Sequence, residues 1–151
     1  MTKQHLKQVA ALGRYFGQIN ELYNVWAKQH GISYNKLAIY YTLVSQGHGT
    51  QRQICQEWGI SKQTLSTICK ELEKEGLIKF VVMPHDKREK QMELTELGVE
   101  KITPLIDALQ DHEYRTLEEI GEDRIDTWFD TMEQFIQVFS GQSDQSGYNS
   151  K

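Results

Sequence analysis

Apolar residues return every three or four positions through most of the chain, the period of helices that each bury one stripe. Leu6, Val9, Phe16, Ile19, Tyr23 and Trp26 trace such a stripe, widened by Leu12 and Leu22, and predict a first helix over 3–29 that Gly31 ends. Gly13 and Gly17 stand four apart within it. In so polar a segment this pair is no membrane-dimer signal, and it allows another helix a close approach instead. Ser33 is placed to cap a second helix reaching about Gln46, with Gly47 and Gly49 closing it. Thr50-Gln51-Arg52-Gln53 reads as a capping box that opens a short helix stopping at Gly59. Ser61 caps the next helix, whose Leu65, Ile68 and Leu72 face inward until Gly76 ends it.

The period then changes. Residues 77–83 and 91–94 form the only strand-like region, and the polar stretch 84–90 between them makes it a β-hairpin. Thr95 opens a long helix carrying Val99, Ile102, Ile106, Leu109, Leu117 and Ile120. Pro104 is expected to kink it, because a mid-helix proline removes one hydrogen bond and crowds the preceding turn. Gly121 breaks this helix. A last one holds Ile125, Trp128, Phe129, Met132, Phe135, Ile136 and Phe139 before Ser140, and 141–151, rich in Ser, Gln and Gly, reads as a disordered tail. The fold class is therefore mostly α with one small hairpin, and no internal repeat is visible.

Within this pattern, residues 50–77 run as short helix, Gly-containing turn, longer helix and Gly-terminated exit. That is the order of a helix-turn-helix, in which the first helix braces and the second enters the major groove of DNA. On the second helix Lys62, Gln63, Ser66, Thr67 and Lys70 share the face opposite the apolar residues. Small hydroxyls let a helix sink between the groove walls, and Gln or Lys donates to base edges. Thr64 lies in the same first turns, and Thr50 and Arg52 stand on the bracing helix. The helix start at Ser61 offers free backbone N–H groups to a phosphate. The hairpin tip, His85-Asp86-Lys87-Arg88-Glu89-Lys90, places Lys87 and Arg88 beside this helix, where a narrow minor groove attracts cations.

Charge sharpens this picture. The chain of 151 residues has a net charge of -4, but residues 1–90 carry 13 Lys/Arg against 7 Asp/Glu (+6), and 91–151 carry 4 against 14 (-10). A basic front on an acidic back admits an anionic partner on one side only. The length suits one domain of roughly 100–200 residues. The longest apolar run, 37–44, is far short of the roughly 20 residues of a membrane helix. The first residues lack a signal peptide's apolar run, so a cytoplasmic protein without membrane contact is expected.

Candidate chemistry is sparse. Cys55 and Cys69 follow no C-x-x-C pattern and read as core filling. His5, His30, His48, His85 and His112 are scattered without ligand spacing, so no metal is expected. No catalytic motif or phosphate-cradling loop is present, and neither enzyme activity nor a cofactor is expected.

Residues 54–78, ICQEWGISKQTLSTICKELEKEGLI, followed by DKREKQMELTELG at 86–98, resemble the MarR family of bacterial transcription regulators. The family's wing pattern appears as Asp86, Arg88, Leu94, Thr95 and Gly98. The resemblance implies a winged helix-turn-helix embedded in an intertwined helical homodimer. Residues 1–32 and 96–140 then serve dimerisation, and 33–95 form the reading module. It also implies that Ser61 to Lys70 read the major groove, that Arg88 enters the minor groove and that Asp86 orients nearby basic side chains. Many relatives carry Arg at the position of Thr67, so base preference does not transfer. Glu71 and Glu75 make this helix less basic than many, which shifts weight to the wing and Arg52. An effector cleft for small aromatic or phenolic compounds is implied near Tyr15, Phe16, Tyr23, Trp26, Tyr34, Tyr40 and Tyr41, with no lining residue assigned. The resulting expectation is a dimeric repressor that binds an inverted-repeat site in double-stranded DNA and is released by a small molecule. Two other readings stay open: a thiol-redox regulator using Cys55 or Cys69, and a protein-interaction winged helix that binds no DNA.

Overall fold

The computed structural model describes residues 2–82 and 90–146, the side chains of 142–146 excepted. The chain divides into two compact units, 1–107 and 108–151.

The first unit begins with α1 (Lys3–Gln29), capped by the Thr2 hydroxyl, which accepts from the His5 N–H. Its end is a Schellman turn. Gly31 has φ 74, its N–H donates to the Lys28 carbonyl, and the Ile32 N–H donates to that of Ala27. Ser33 caps α2 (Tyr34–Gln46), and Gly47 closes it at φ 78. Gly49, expected to help close that helix, instead forms a two-residue strand with Thr50, β1 (Gly49–Thr50). A segment so short carries no periodicity, and what makes it a strand is pairing with a distant partner.

Thr50 caps α3 (Gln51–Trp58), its hydroxyl accepting from the Gln53 N–H at 3.1 Å. The other half of the expected capping box is missing. The Gln53 amide nitrogen instead donates to Gln46 Oε1 and Glu57 Oε1, which fixes the side chain toward those two residues. Gly59, at φ 65, turns the chain into α4 (Lys62–Lys74). Gly76 then repeats the Schellman geometry, donating to the Glu73 carbonyl while the Leu77 N–H donates to that of Leu72.

The hairpin strands are β2 (Ile78–Val82) and β3 (Lys90–Leu94), antiparallel with Ile78 opposite Leu94 and Val82 opposite Lys90. β1 adds to the other side of β3, Gly49 opposite Met92, for a sheet order β1-β3-β2. The core of this unit joins Leu37, Ile39 and Leu43 of α2, Ile54 of α3, Leu65 and Leu72 of α4, and Ile78 and Met92 of the sheet, all buried.

One junction holds the hairpin to α4. Thr95 donates its N–H to the Leu77 carbonyl and its hydroxyl to that of Gly76, while the same hydroxyl accepts from the Gly98 N–H. A Cβ on Gly98 would lie 2.0 Å from the Leu77 carbonyl oxygen, so only glycine permits the approach. The Thr95 and Gly98 of the wing pattern thus fasten the exit of α4 to the return of the hairpin. α5 (Glu96–Ile120) starts here and continues through Pro104.

The second unit holds the latter part of α5 and α6 (Glu122–Ser146), with Gly121 at φ 99 between them. Leu109 and Ile125 are buried. α6 runs on to Ser146, past the expected end at Ser140, so 141–146 are helix rather than tail. A single glycine, Gly141, costs about 1 kcal/mol in a helix, too little to stop one already propagating.

Candidate nucleic-acid interface

α4 divides sharply between its two faces. Leu65, Cys69 and Leu72 are fully buried, at 0% exposure, while Lys62, Gln63, Thr67 and Lys70 are exposed. Ser66 is half-buried between these faces, and so is Ile68, expected to face inward. The hydroxyls on the exposed face are not equivalent. Ser61 caps the helix, its Oγ accepting from the Thr64 N–H at 3.2 Å and donating to Thr64 Oγ1 at 2.8 Å. Thr67 donates to the Gln63 carbonyl one turn back, which leaves its oxygen to accept and its methyl for apolar contact. Gln63 has both amide functions available for a bidentate base contact of the kind that reads adenine.

The exposed basic residues of α4 are Lys62, Lys70 and Lys74, and the last of these stands among Glu71, Glu73 and Glu75, which leave the C-terminal end net negative. Glu75 is partly neutralised by Lys36 of α2 at 3.9 Å. An anionic duplex is therefore favoured at the N-terminal part of the helix and opposed at its end. On α3, Arg52 is exposed and Thr50 is half-buried with its hydroxyl engaged in the cap. Asp86, Lys87 and Arg88 lie outside the described residues. β2 and β3 lead toward them, with Lys79 and Glu93 paired across the strands at 3.4 Å.

The two thiols belong to this module's interior. Cys69 is buried and its thiol is pushed up to about 12, first by burial and then by the neighbouring Cys55, which is half-buried. A thiol so raised is a poor nucleophile at neutral pH. Among the described residues no group of three or more His, Cys, Asp or Glu is placed to hold a metal ion, and no helix is long and apolar enough to cross a membrane.

The aromatic residues expected around an effector cleft differ in their surroundings. Tyr40 is buried, Tyr15 is exposed, and Trp26 stacks on His30 at 3.8 Å. Tyr34 and Tyr41 each meet Trp58 in a steeply inclined, T-shaped contact, and no local pattern singles out this residue because its neighbours come from another helix.

Comparison with known proteins places this architecture. No curated protein matches the sequence. A MarR family regulator from Neisseria meningitidis superimposes with a TM-score of 0.82 at 29% identity, covering 92% of this chain and 98% of that one. Reduced AbfR bound to DNA, a protein of Staphylococcus epidermidis, gives 0.65 at 23% identity over 92% and 99%. The transcription regulator MarR from Oenococcus oeni gives 0.64 at 16% over 86% and 98%, a likeness of fold alone. The MarR family model matches residues 30–89, the span from the end of α1 to the hairpin tip. Residues 30–89 of this winged helix-turn-helix chain thus match the MarR family model, and its fold is similar to that of a MarR family regulator over 92% of its length.

Proposed function

We propose that the protein is a sequence-specific transcriptional regulator that binds double-stranded DNA as a homodimer, acting as a repressor released by a small molecule. The observation that carries this reading is the division of α4, whose apolar face is fully buried while Lys62, Gln63, Thr67 and Lys70 stand exposed at the surface. A helix held this way presents base-reading groups without spending them on the fold. That AbfR, a protein of similar fold, is found bound to DNA supports this reading. In this reading Gln63 and Thr67 read base edges, Lys62, Lys70, Arg52 and the tip residues Lys87 and Arg88 meet phosphates or the minor groove, and Asp86 supports the tip. Thr50, Ser61, Thr64 and Ser66 border the contact, the first three with hydroxyls already engaged in helix caps.

Dimerisation follows from exposed apolar area. Leu6, Val9, Leu22 and Val25 on α1 face solvent, as do Trp128, Phe129, Ile136 and Phe139 on α6. Large apolar side chains exposed along one helix in this number mark interfaces in soluble proteins. Two recognition helices related by a twofold axis require half-sites about 10–10.5 bp apart in an inverted repeat. Selecting bound duplexes from a random pool and footprinting them tests the reading. Two protected half-sites in inverted order support it, and the absence of salt-dependent duplex binding contradicts it.

A further inference from the structure

A cleft of about 530 Å³ opens in the first unit between α1 and the ends of α2 and α3, lined by Gly17, Asn20, Glu21, Asn24, Tyr34, Glu57 and Trp58. Its size is that of a site for a small organic molecule. Its chemistry is opposite to what a phenolic or carboxylic acid needs. The lining groups with a full charge at neutral pH are the carboxylates Glu21 and Glu57, and among the described residues no Lys, Arg or His lines the space. Each carboxylate holds a neutral amide, Glu21 that of Asn24 at 3.1 Å and Glu57 that of Gln53 at 3.0 Å. The ion pairs found among the described residues, Lys36–Glu75 and Lys79–Glu93, involve neither. Two uncompensated negative charges therefore face one space.

Beside them stand two aromatic rings. Trp58 donates its indole N–H to Thr42 Oγ1 at 3.2 Å, and Tyr34 meets it at 67° with centroids 6.1 Å apart. An indole is the ring that attracts a cation most strongly. Two carboxylates are too few for a metal ion, and no larger group of ligating residues is found among the described residues. We propose that this cleft binds an organic cation, an amine or quaternary ammonium compound with an aromatic or apolar body, and that the bound cation acts on the DNA-reading helix through Trp58.

The route of that action is short. Trp58 is the last residue of α3, and Gly59 turns the chain directly into α4. Trp58 is tied to α2 through Thr42, whose hydroxyl in turn donates to the Ala38 carbonyl. A ligand that shifts the indole thus moves the end of the bracing helix against the helix it braces.

This inference rests on the chain being an effector-released DNA-binding regulator, and its test keeps the two apart. Calorimetry on the full-length protein uses benzyltrimethylammonium as probe, with benzoate and benzyl alcohol as anionic and neutral controls of similar size. The cation is expected to bind and the controls to bind at least about tenfold more weakly. Glu21→Gln and Glu57→Gln should each weaken the cation about two- to fivefold, as for a solvent-accessible ion pair, and together about tenfold. Both variants should retain wild-type affinity for DNA without ligand, since neither residue lies on the α4 surface. Saturating cation should weaken operator binding of the wild type, read by fluorescence anisotropy, and the double variant should need about tenfold more cation for the same effect. Benzoate binding as tightly as the cation, no binding of the cation, or full cation affinity in the double variant overturns the site. Cation binding with unchanged operator affinity overturns its action on α4. Failure of the unliganded wild type to bind duplex DNA contradicts the functional reading instead.

Discussion

Replacing Gly98 with alanine should be far more damaging than a one-carbon change on a helix normally is. The added Cβ would stand 2.0 Å from the Leu77 carbonyl oxygen and 3.0 Å from its carbon. Relieving that overlap requires the first turn of α5 to retreat by about 1 Å, and overpacking against a constrained neighbour costs roughly 1–3 kcal/mol, sometimes more. The same retreat stretches the bonds from Thr95 to the Leu77 and Gly76 carbonyls and the one from Gly98 to Thr95. Each of these contributes about 0.5–1.5 kcal/mol. Alanine returns about 1 kcal/mol in helix propensity. The net expectation is a loss of about 2–4 kcal/mol. Urea denaturation at fixed protein concentration measures it, the fixed concentration being essential because dissociation of a dimer is linked to unfolding. Gly141→Ala, with nothing within 4 Å of its Cβ, serves as control and should be neutral or stabilising by up to about 1 kcal/mol. A Gly98→Ala protein as stable as wild type would refute the claim that this junction fastens the hairpin to α4.

Cys69→Ser should cost about 1–3 kcal/mol by leaving a buried hydroxyl unpaired, and native Cys69 should resist alkylation at neutral pH until the protein is unfolded. Because its thiol is raised from 9.0 to about 12 in the fold, the native state holds the proton more tightly; stability from this group is complete below about 9 and is lost as pH climbs toward 12, a fall that urea melts of Cys69→Ala should lack. Sedimentation at micromolar concentration should find dimers, and a persistent monomer would contradict the use of α1 and α6 as an interface. Arg88→Ala should weaken binding to operator and unrelated duplex alike and reduce the slope of log affinity against log salt by about one for each phosphate the arginine neutralises.

Most helix ends are written locally, and there the sequence suffices. Ser33 and Ser61 cap where their hydroxyls meet an N–H three residues on, and Gly47, Gly59, Gly76 and Gly121 mark ends because each adopts a positive φ. What escapes a local reading is what depends on distant partners. β1 exists only because Gly49 and Thr50 meet Met92 and Gln91. The necessity of glycine at 98 comes from the carbonyl of Leu77, on the far side of the hairpin. The Gln53 side chain is held by acceptors on Gln46 and Glu57, to which its amide nitrogen donates. On α4, helical period alone separates the face of Gln63 and Thr67 from that of Leu65 and Leu72, so the candidate interface is legible before any coordinates. The engagement of Ser61 and Thr64 with each other is less so, since a hydroxyl's choice between backbone and ligand leaves no trace in sequence. The cleft is least legible of all. Glu21, Tyr34, Glu57 and Trp58 come from three helices, and no spacing links them.

Whether the exposed face of α4 reads base sequence is decided through Gln63. Anisotropy titrations of wild type and Gln63→Ala against a selected operator and a scrambled duplex, each at several salt concentrations, give four affinities and their salt slopes. Gln63→Ala should lose about 1–3 kcal/mol on the operator for each base that the amide reads, little on the scrambled duplex, and nothing in salt slope. Equal losses on both duplexes, or an operator affinity unchanged by the substitution, would contradict a base-reading role for this face.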